Sequence, residues 1–216
     1  MSDDSNNPEA STDADPEAYR VLAGSGRAET KVQGSRFLAF AEPVESEEEA
    51  ELFVEGARSE HYDARHVCYG LRVGLGAARI DRSNDDGEPP RTGGFPLWQI
   101  LSGEEIENAL IYVVRYFGGT KLGMGGLTRA YREAGRKALA DAGTRIHHPE
   151  TTLTLTVPYS RFDEIQHIID NLEGVRIQDR QFTAHIELSL AIWTSKTTKI
   201  SARLANFLGC DPDEFL

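Results

Sequence analysis

Apolar and polar residues are arranged in two different patterns along the chain, and the change between them falls near residue 147. The first part predicts a strand and its exits over Lys31–Val44, strands over His66–Val73 and Leu110–Tyr116, a short helix around Pro96–Leu101 and a helix from Leu127 to about Asp141. Leu110–Tyr116 is almost continuously apolar, which is typical of a strand buried on both faces. Ser46 and Glu49 form a capping box that predicts a further helix start, and Gly143 is the expected stop of the last helix.

The second part begins after His147-His148-Pro149, which we interpret as a linker. Its predicted elements are a half-buried strand over Leu153–Val157, an amphipathic helix over Ile165–Leu172, strands over Gly174–Ile177 and Ile186–Ile192, and a helix over Ile200–Leu208. The order β-α-β-β-α predicts a ferredoxin-like antiparallel sheet with its helices on one face. We therefore expect a large domain over residues 19–147 and a small one over residues 150–216.

Composition excludes several classes of protein. No apolar run approaches the roughly 18 residues of a membrane-spanning helix, and no secretory signal opens the sequence. The two cysteines are too far apart to predict a disulfide framework or a zinc knuckle. We therefore expect a cytoplasmic protein with no membrane partner.

The charge is strongly negative and unevenly distributed. The net charge is -12, and the first eighteen residues carry six acidic side chains and no basic one. Residues 1–18 should thus form a disordered acidic tail. Only five of the 23 bases are lysine, a surface composition that resembles proteins of salt-rich cytoplasms. Because an acidic chain is a poor candidate for nucleic-acid binding, such a function requires a local basic patch.

The stretch Asp85-Asp86-Gly87-Glu88-Pro89 concentrates three carboxylates, with Thr92 close behind. One interpretation is a solvated acidic turn. The other is a carboxylate cluster that binds a divalent cation or orients neighbouring arginines.

A basic, glycine-rich segment follows the strand Leu110–Tyr116. Residues 111–137 carry a local charge of +5, and the following helix should present its arginines on one face. Glycine amides near a helix start favour anion binding, although glycines at this density also serve tight turns and close packing. The candidate phosphate-binding residues are Arg115, Gly118, Gly119, Lys121, Gly125, Gly126, Arg129, Arg132 and Arg136.

The sequence DDGEP, a Thr-Gly-Gly-x-Pro and VVRYFGGTKLGMGGLTRAY together closely resemble the YigZ/IMPACT family over about residues 25–145. The part after residue 150 resembles the C-terminal domain of the bacterial and archaeal members, which is similar to a domain of elongation factor G. The resemblance implies an α+β protein, with a ribosomal protein S5 domain 2-like domain that has a mixed sheet and helices on one face. Arg91 and Gly93 depart from the Gly and Ala that the family usually has there.

Eukaryotic members regulate translation through an additional domain, and nucleic-acid binding has been inferred for YigZ-like members. Our leading hypothesis is a non-catalytic module without a cofactor that binds RNA or a ribosome-associated partner, with Asp85, Asp86 and Glu88 orienting the arginines. One alternative is an enzyme acting on a phosphorylated small molecule, in which those three carboxylates bind Mg²⁺. Another is a protein–protein regulator of translational stress responses.

Overall fold

In the computed structural model, which describes residues 15–209, the chain forms two compact units. One unit comprises Tyr19–His147. Of the described residues, the other comprises 148–209 together with 15–18. Both combine helices with antiparallel sheets, and the α+β class expected from the sequence is confirmed.

The larger unit is built on a five-stranded sheet. Its elements are β1 (Tyr19–Leu22), β2 (Gly26–Val32), β3 (Ser35–Pro43), α1 (Glu47–Glu60), β4 (His66–Val73), β5 (Ile80–Asn84), α2 (Gly94–Gly103), β6 (Ala109–Tyr116), α3 (Gly123–Ala142) and β7 (Thr144–His147). The strand order is β2-β3-β6-β4-β5 and every pair is antiparallel. β1 and β7 pair with each other as a separate two-stranded ribbon.

The central strand β6 is buried on both faces, as predicted. Ile111 faces α2 and α3, whereas Leu110 and its neighbours on the same face pack against Val54 of α1. The resemblance implied a mixed sheet with helices on one face, and this expectation is wrong in two details. The sheet is antiparallel throughout, and α1 covers the opposite face because that face is also apolar and must be buried.

The predicted start of α1 is confirmed, whereas the predicted start of α3 is wrong. At α1, Ser46 is the N-cap and its Oγ accepts a hydrogen bond from Glu49 N at 3.1 Å, as the capping box predicts. At α3, the helix begins at Gly123 instead of Leu127, so that Gly125 and Gly126 lie in its first turn and not in a loop. Helical hydrogen bonding has extended into a glycine-rich sequence in which propensity alone gave no reason to expect a helix.

Several strands were not predicted. The single strand expected over Lys31–Val44 is the hairpin β2–β3, which turns at Gln33 and Gly34, both with positive φ. β1, β5 and β7 are short, and their sequences lack a strong apolar alternation. β1 and β7 become strands by pairing with each other across the length of the unit, and β5 by forming a hairpin with β4.

The smaller unit has the predicted order of elements. These are β8 (Glu150–Val157), α4 (Phe162–Asp170), β9 (Val175–Phe182), β10 (Ile186–Trp193) and α5 (Thr197–Leu208). The sheet order is β8-β10-β9 with antiparallel neighbours, the arrangement of a ferredoxin-like fold. One face of the sheet and the two helices share a single apolar core.

The start of the described chain differs from the expected disordered tail. Asp15 is buried, and its carboxylate lies 2.7 Å from His148 Nδ1 and accepts a hydrogen bond from Ser195 Oγ at 2.6 Å. Burial opposes the charged form, but these two partners and a hydrogen bond from Glu17 N outweigh it and lower the pKa of Asp15. The rest of the predicted tail, residues 1–14, lies outside the described residues. Within residues 15–209, no helix combines the length and apolar character needed to span a membrane.

Candidate functional site

The larger unit contains a groove of about 380 Å³ where four separate segments meet. These segments are the start of β4, the acidic loop after β5, the end of β6 with the following loop, and the first turn of α3. The lining residues are Arg65, His66, Glu88, Pro89, Arg115, Phe117, Lys121, Leu122, Gly123, Met124 and Leu127. Two of the predicted cations, Arg115 and Lys121, therefore come together with Glu88.

A buried ion pair forms one side of this groove. Glu88 and Arg115 are only 8% and 4% exposed, and the Glu88 carboxylate accepts hydrogen bonds from the Arg115 guanidinium and from Tyr131 Oη, the latter at 2.8 Å. Burial raises the pKa of Tyr131, and the neighbouring Cys68 and Glu88 raise it further, so the phenol remains a neutral donor. Of the three carboxylates in the acidic loop, Glu88 alone orients a predicted arginine.

Ser35 connects Arg115 to the glycine loop. Its buried Oγ accepts from Gly118 N at 3.2 Å and lies 3.4 Å from Arg115 Nη2. The guanidinium Nε of Arg115 has no hydrogen-bond partner among the described residues. Arg115 is thus held on one edge by Glu88 and Ser35, beside the opening of the groove.

His66 also lines the groove with a defined tautomer. Its Nδ1 lies 2.7 Å from the Asp86 carbonyl oxygen, which can only accept, so Nδ1 carries a proton. The other ring nitrogen, Nε2, lies 3.9 Å from Glu88 Oε1. The place of His66 in the groove arises from contacts with a loop twenty residues away, which the sequence pattern of β4 does not reveal.

The other two carboxylates of the acidic loop have structural roles, contrary to expectation. Asp85 accepts from the backbone N–H groups of Arg91, Gly93 and Gly94, at 2.7–2.9 Å, and so binds the amino end of α2. The Thr92 hydroxyl donates to Pro89 O at 2.6 Å and closes the same loop. Neither residue lines the groove.

Asp86 is occupied in the same way. Its carboxylate accepts two hydrogen bonds from Arg58, at 2.8 and 2.9 Å, and one from Val67 N at 2.6 Å. Burial alone would raise the pKa of Asp86, but these donors outweigh it and the pKa is lowered. Among residues 15–209, no three His, Cys, Asp or Glu side chains are placed to hold a metal ion. The predicted Mg²⁺ set of Asp85, Asp86 and Glu88 therefore does not converge.

We expect Asp86→Asn to lower the free energy of unfolding by about 2 kcal/mol at pH 7, because hydrogen bonds to a charged group are weakened. Asn tolerates the positive φ of this position, 45°, so the substitution adds no backbone strain. Because the folded pKa is lowered, the carboxylate stabilises the fold above its ordinary value of 3.8. The difference between variant and parent should shrink as the pH falls below 3.8.

Urea unfolding from pH 7 down to pH 2.5 measures this effect. Glu51→Gln, which removes an exposed carboxylate on α1, is the matched control and should change stability by less than about 0.5 kcal/mol. A difference at Asp86 that stays constant with pH would contradict the electrostatic explanation.

The predicted glycines differ in their structural reasons. A Cβ on Gly118 would lie 1.9 Å from the backbone carbon of Gly34, so this position requires glycine. Gly119 has a φ of 87° and open space around it. Gly125 has nothing closer than Arg129 Nη1, at 3.7 Å, and Gly126 meets only the Leu122 Cβ, at 3.1 Å. Neither faces another backbone segment.

The three arginines of α3 do not join the groove, contrary to the single site expected. Arg129, Arg132 and Arg136 share one face of the helix, as predicted from their spacing. The groove is lined instead by Leu127 on the nearly opposite side of α3, where Tyr131 is fully buried. Amphipathic periodicity identified the polar face of α3, but it could not show which side of the helix borders the groove.

Cys68 contacts the acidic loop, and Phe117 lines the groove. Burial raises the pKa of the Cys68 thiol far above its ordinary value, and its Sγ donates to Asp85 O at 3.1 Å. Because it is buried and stays protonated, the thiol is unreactive. Of the aromatic residues near the groove, Tyr131 is fully buried, whereas Phe117 is 44% exposed.

Comparisons with known proteins agree with the division into two units. A family model described as the Impact N-terminal domain matches residues 33–139, and one described as a domain of unknown function, DUF1949, matches residues 155–209. The IMPACT family member YigZ of Escherichia coli is 33% identical over 193 residues, which cover 88% of this chain and 94% of the relative. The chain belongs to the IMPACT family.

Other IMPACT proteins show how far the similarity extends. A family member from Haemophilus influenzae is 32% identical over 177 residues, covering 82% of this chain and 85% of the relative. The IMPACT homolog of Saccharomyces cerevisiae is 33% identical over 95 residues, or 42% of this chain and 36% of the yeast protein. A crystal structure of a hypothetical protein has a TM-score of 0.63 and 32% identity, covering 88% of this chain and 93% of its own. The groove lies wholly within the part that matches the IMPACT N-terminal domain.

Proposed function

We propose that this IMPACT-family protein acts in translation or its regulation and binds RNA or a ribosome-associated partner through the groove. The single observation that carries the proposal is that the exposed cations Arg65 and Lys121 line the groove together with the buried Arg115, while Glu88 is the one carboxylate among the described lining residues, in a chain whose net charge is -12. Membership of a family whose eukaryotic proteins regulate translation supports the same role, and a cytoplasmic location follows from it.

The cations of the groove have different duties in this proposal. Arg115 is buried and paired with Glu88, so it shapes the wall and contributes little net charge. Arg65 and Lys121 are exposed at the groove and supply the positive potential that attracts a phosphate. Gly119 has open space around it, so its backbone carries no side chain that would obstruct an approaching phosphate, whereas Gly118 is required for packing against Gly34.

The arginine face of α3 is the competing location for phosphate contacts. Arg129 and Arg136 are exposed, and Arg132 donates to Gln99 Oε1 at 2.8 Å. A one-signed face of this kind is often only solvated, and it borders none of the groove. These arginines therefore provide the internal control for the groove.

We expect affinity for structured RNA or ribosomes to fall steeply with salt, because phosphate contacts release counterions. Lys121→Ala and Arg65→Ala should each weaken binding and reduce the slope of log affinity against log salt concentration by about 0.7–0.9. Fluorescence anisotropy at several salt concentrations measures the slope.

Arg136→Ala removes an exposed cation from α3 and should leave the slope unchanged. A reduced slope for Arg136→Ala but not for Lys121→Ala would assign the contacts to the helix face and contradict the groove. A salt-independent interaction with a protein captured on ribosomes would instead indicate the protein–protein alternative.

A further inference from the structure

The groove is half apolar, which a site for phosphate alone does not require. Its apolar side chains are Pro89, Phe117, Leu122, Met124 and Leu127. Phe117 is 44% exposed and Met124 is 60% exposed, although both stand beside the cations Arg65 and Lys121. Large exposed apolar side chains next to cations indicate a ligand that is itself partly apolar and partly anionic.

The exposed ring of Phe117 is held in place from within. The Arg115 guanidinium carbon lies 5.7 Å from the centre of this ring and 5.4 Å from the centre of the buried Phe37 ring. Because Arg115 is also fixed by Glu88, one side of Phe117 rests on an ordered support. The ring is 44% exposed, so part of it is available to a planar ligand.

We propose that the groove holds one unpaired nucleotide of single-stranded RNA, with its base on Phe117 and its phosphate at Lys121 and Arg65. The proposal rests on the RNA-binding function proposed above and specifies the form of RNA. A volume of about 380 Å³ is at the lower end of the roughly 300–1,000 Å³ of ligand pockets, so the groove accommodates a single small unit.

The composition of the groove favours an unpaired nucleotide over a duplex. In double-stranded RNA the bases are stacked inside the helix, and proteins contact mainly phosphates and 2′-hydroxyls. A duplex would therefore leave Phe117 and Met124 without a partner. An unpaired nucleotide presents a planar base and a phosphate within one unit, which matches the apolar wall and the two exposed cations.

Three fluorescent RNA probes test the proposal on the full chain by anisotropy. They are a single-stranded uridine dodecamer, an abasic strand with the same number of phosphates, and a twelve-base-pair duplex. We expect the uridine strand to bind about tenfold more tightly than the abasic strand, because stacking on an aromatic side chain contributes that much per base. Phe117→Leu should abolish this advantage while leaving affinity for the abasic strand unchanged.

The matched control is Phe182→Leu in β9, which alters another exposed phenylalanine, 62% exposed, outside the groove. It should retain the full tenfold preference. Circular dichroism and the unfolding midpoint verify that both variants are folded.

The outcomes separate this inference from the function on which it rests. Equal binding of uridine and abasic strands, with Lys121→Ala still reducing the salt slope, would overturn base capture but leave the phosphate groove. Tighter binding of the duplex than of the single strand would also overturn it. No binding of any probe would overturn RNA binding itself.

Discussion

Replacing Glu88 with Gln is expected to lower the free energy of unfolding of the larger unit by about 3 kcal/mol or more. The substitution preserves size and an acceptor for Tyr131 but leaves the buried Arg115 guanidinium without its counter-charge. Breaking a buried ion pair by removing one partner typically costs 3–5 kcal/mol. Urea unfolding monitored by circular dichroism measures the loss.

A double-mutant cycle separates the ion pair from simple packing. Arg115→Met alone should destabilise the fold by a similar amount, since it leaves the Glu88 carboxylate buried without a guanidinium. The double variant Glu88→Gln with Arg115→Met should recover a large part of the sum, because no uncompensated charge remains. Strict additivity of the two losses would show that the pair does not act as a unit.

Gly118→Ala is expected to destabilise the protein by about 3 kcal/mol or to prevent folding. The added Cβ would lie 1.9 Å from the Gly34 carbon and 2.1 Å from Ser35 N, both backbone atoms that cannot rotate away. Overpacking usually costs 1–3 kcal/mol, and a backbone contact is at the upper end of that range. Thermal unfolding and the yield of folded protein measure the effect.

Gly125→Ala is the control within the same glycine-rich segment. It lies in the first turn of α3, where a Cβ meets nothing nearer than 3.7 Å. Alanine should therefore stabilise the helix by up to about 1 kcal/mol, since it loses less backbone entropy. If Gly125→Ala were as damaging as Gly118→Ala, packing would not distinguish the two glycines.

The sequence predicted the elements that carry their own local signal. The apolar run of β6, the capping residues of α1 and the i, i+3, i+4, i+7 spacing in α4 all identified real elements, because each depends on neighbours in the chain. The strands β1 and β7 were missed because they depend on pairing with each other and, for β1, on the burial of Leu22 in the core, and these contacts involve residues distant in the chain.

The candidate site was predicted only in part for a similar reason. Arg115, Lys121 and Glu88 were identified by charge and motif, and the structure brings all three to the groove. Arg65 and His66 join them because β4 lies next to β6, which no local pattern reveals. Asp85 was misassigned because the sequence does not distinguish a carboxylate that caps the amino end of a helix from one that binds a ligand.

The pairing of β1 with β7 places the two ends of the larger unit side by side. Tyr19 pairs with His147 and Leu22 with Thr144, so the chain enters and leaves this unit at one spot. A segment with adjoining ends can be excised, transplanted into a host loop or circularly permuted with little strain. Residues 19–147 thus have the geometry of a unit that can be inserted into another protein.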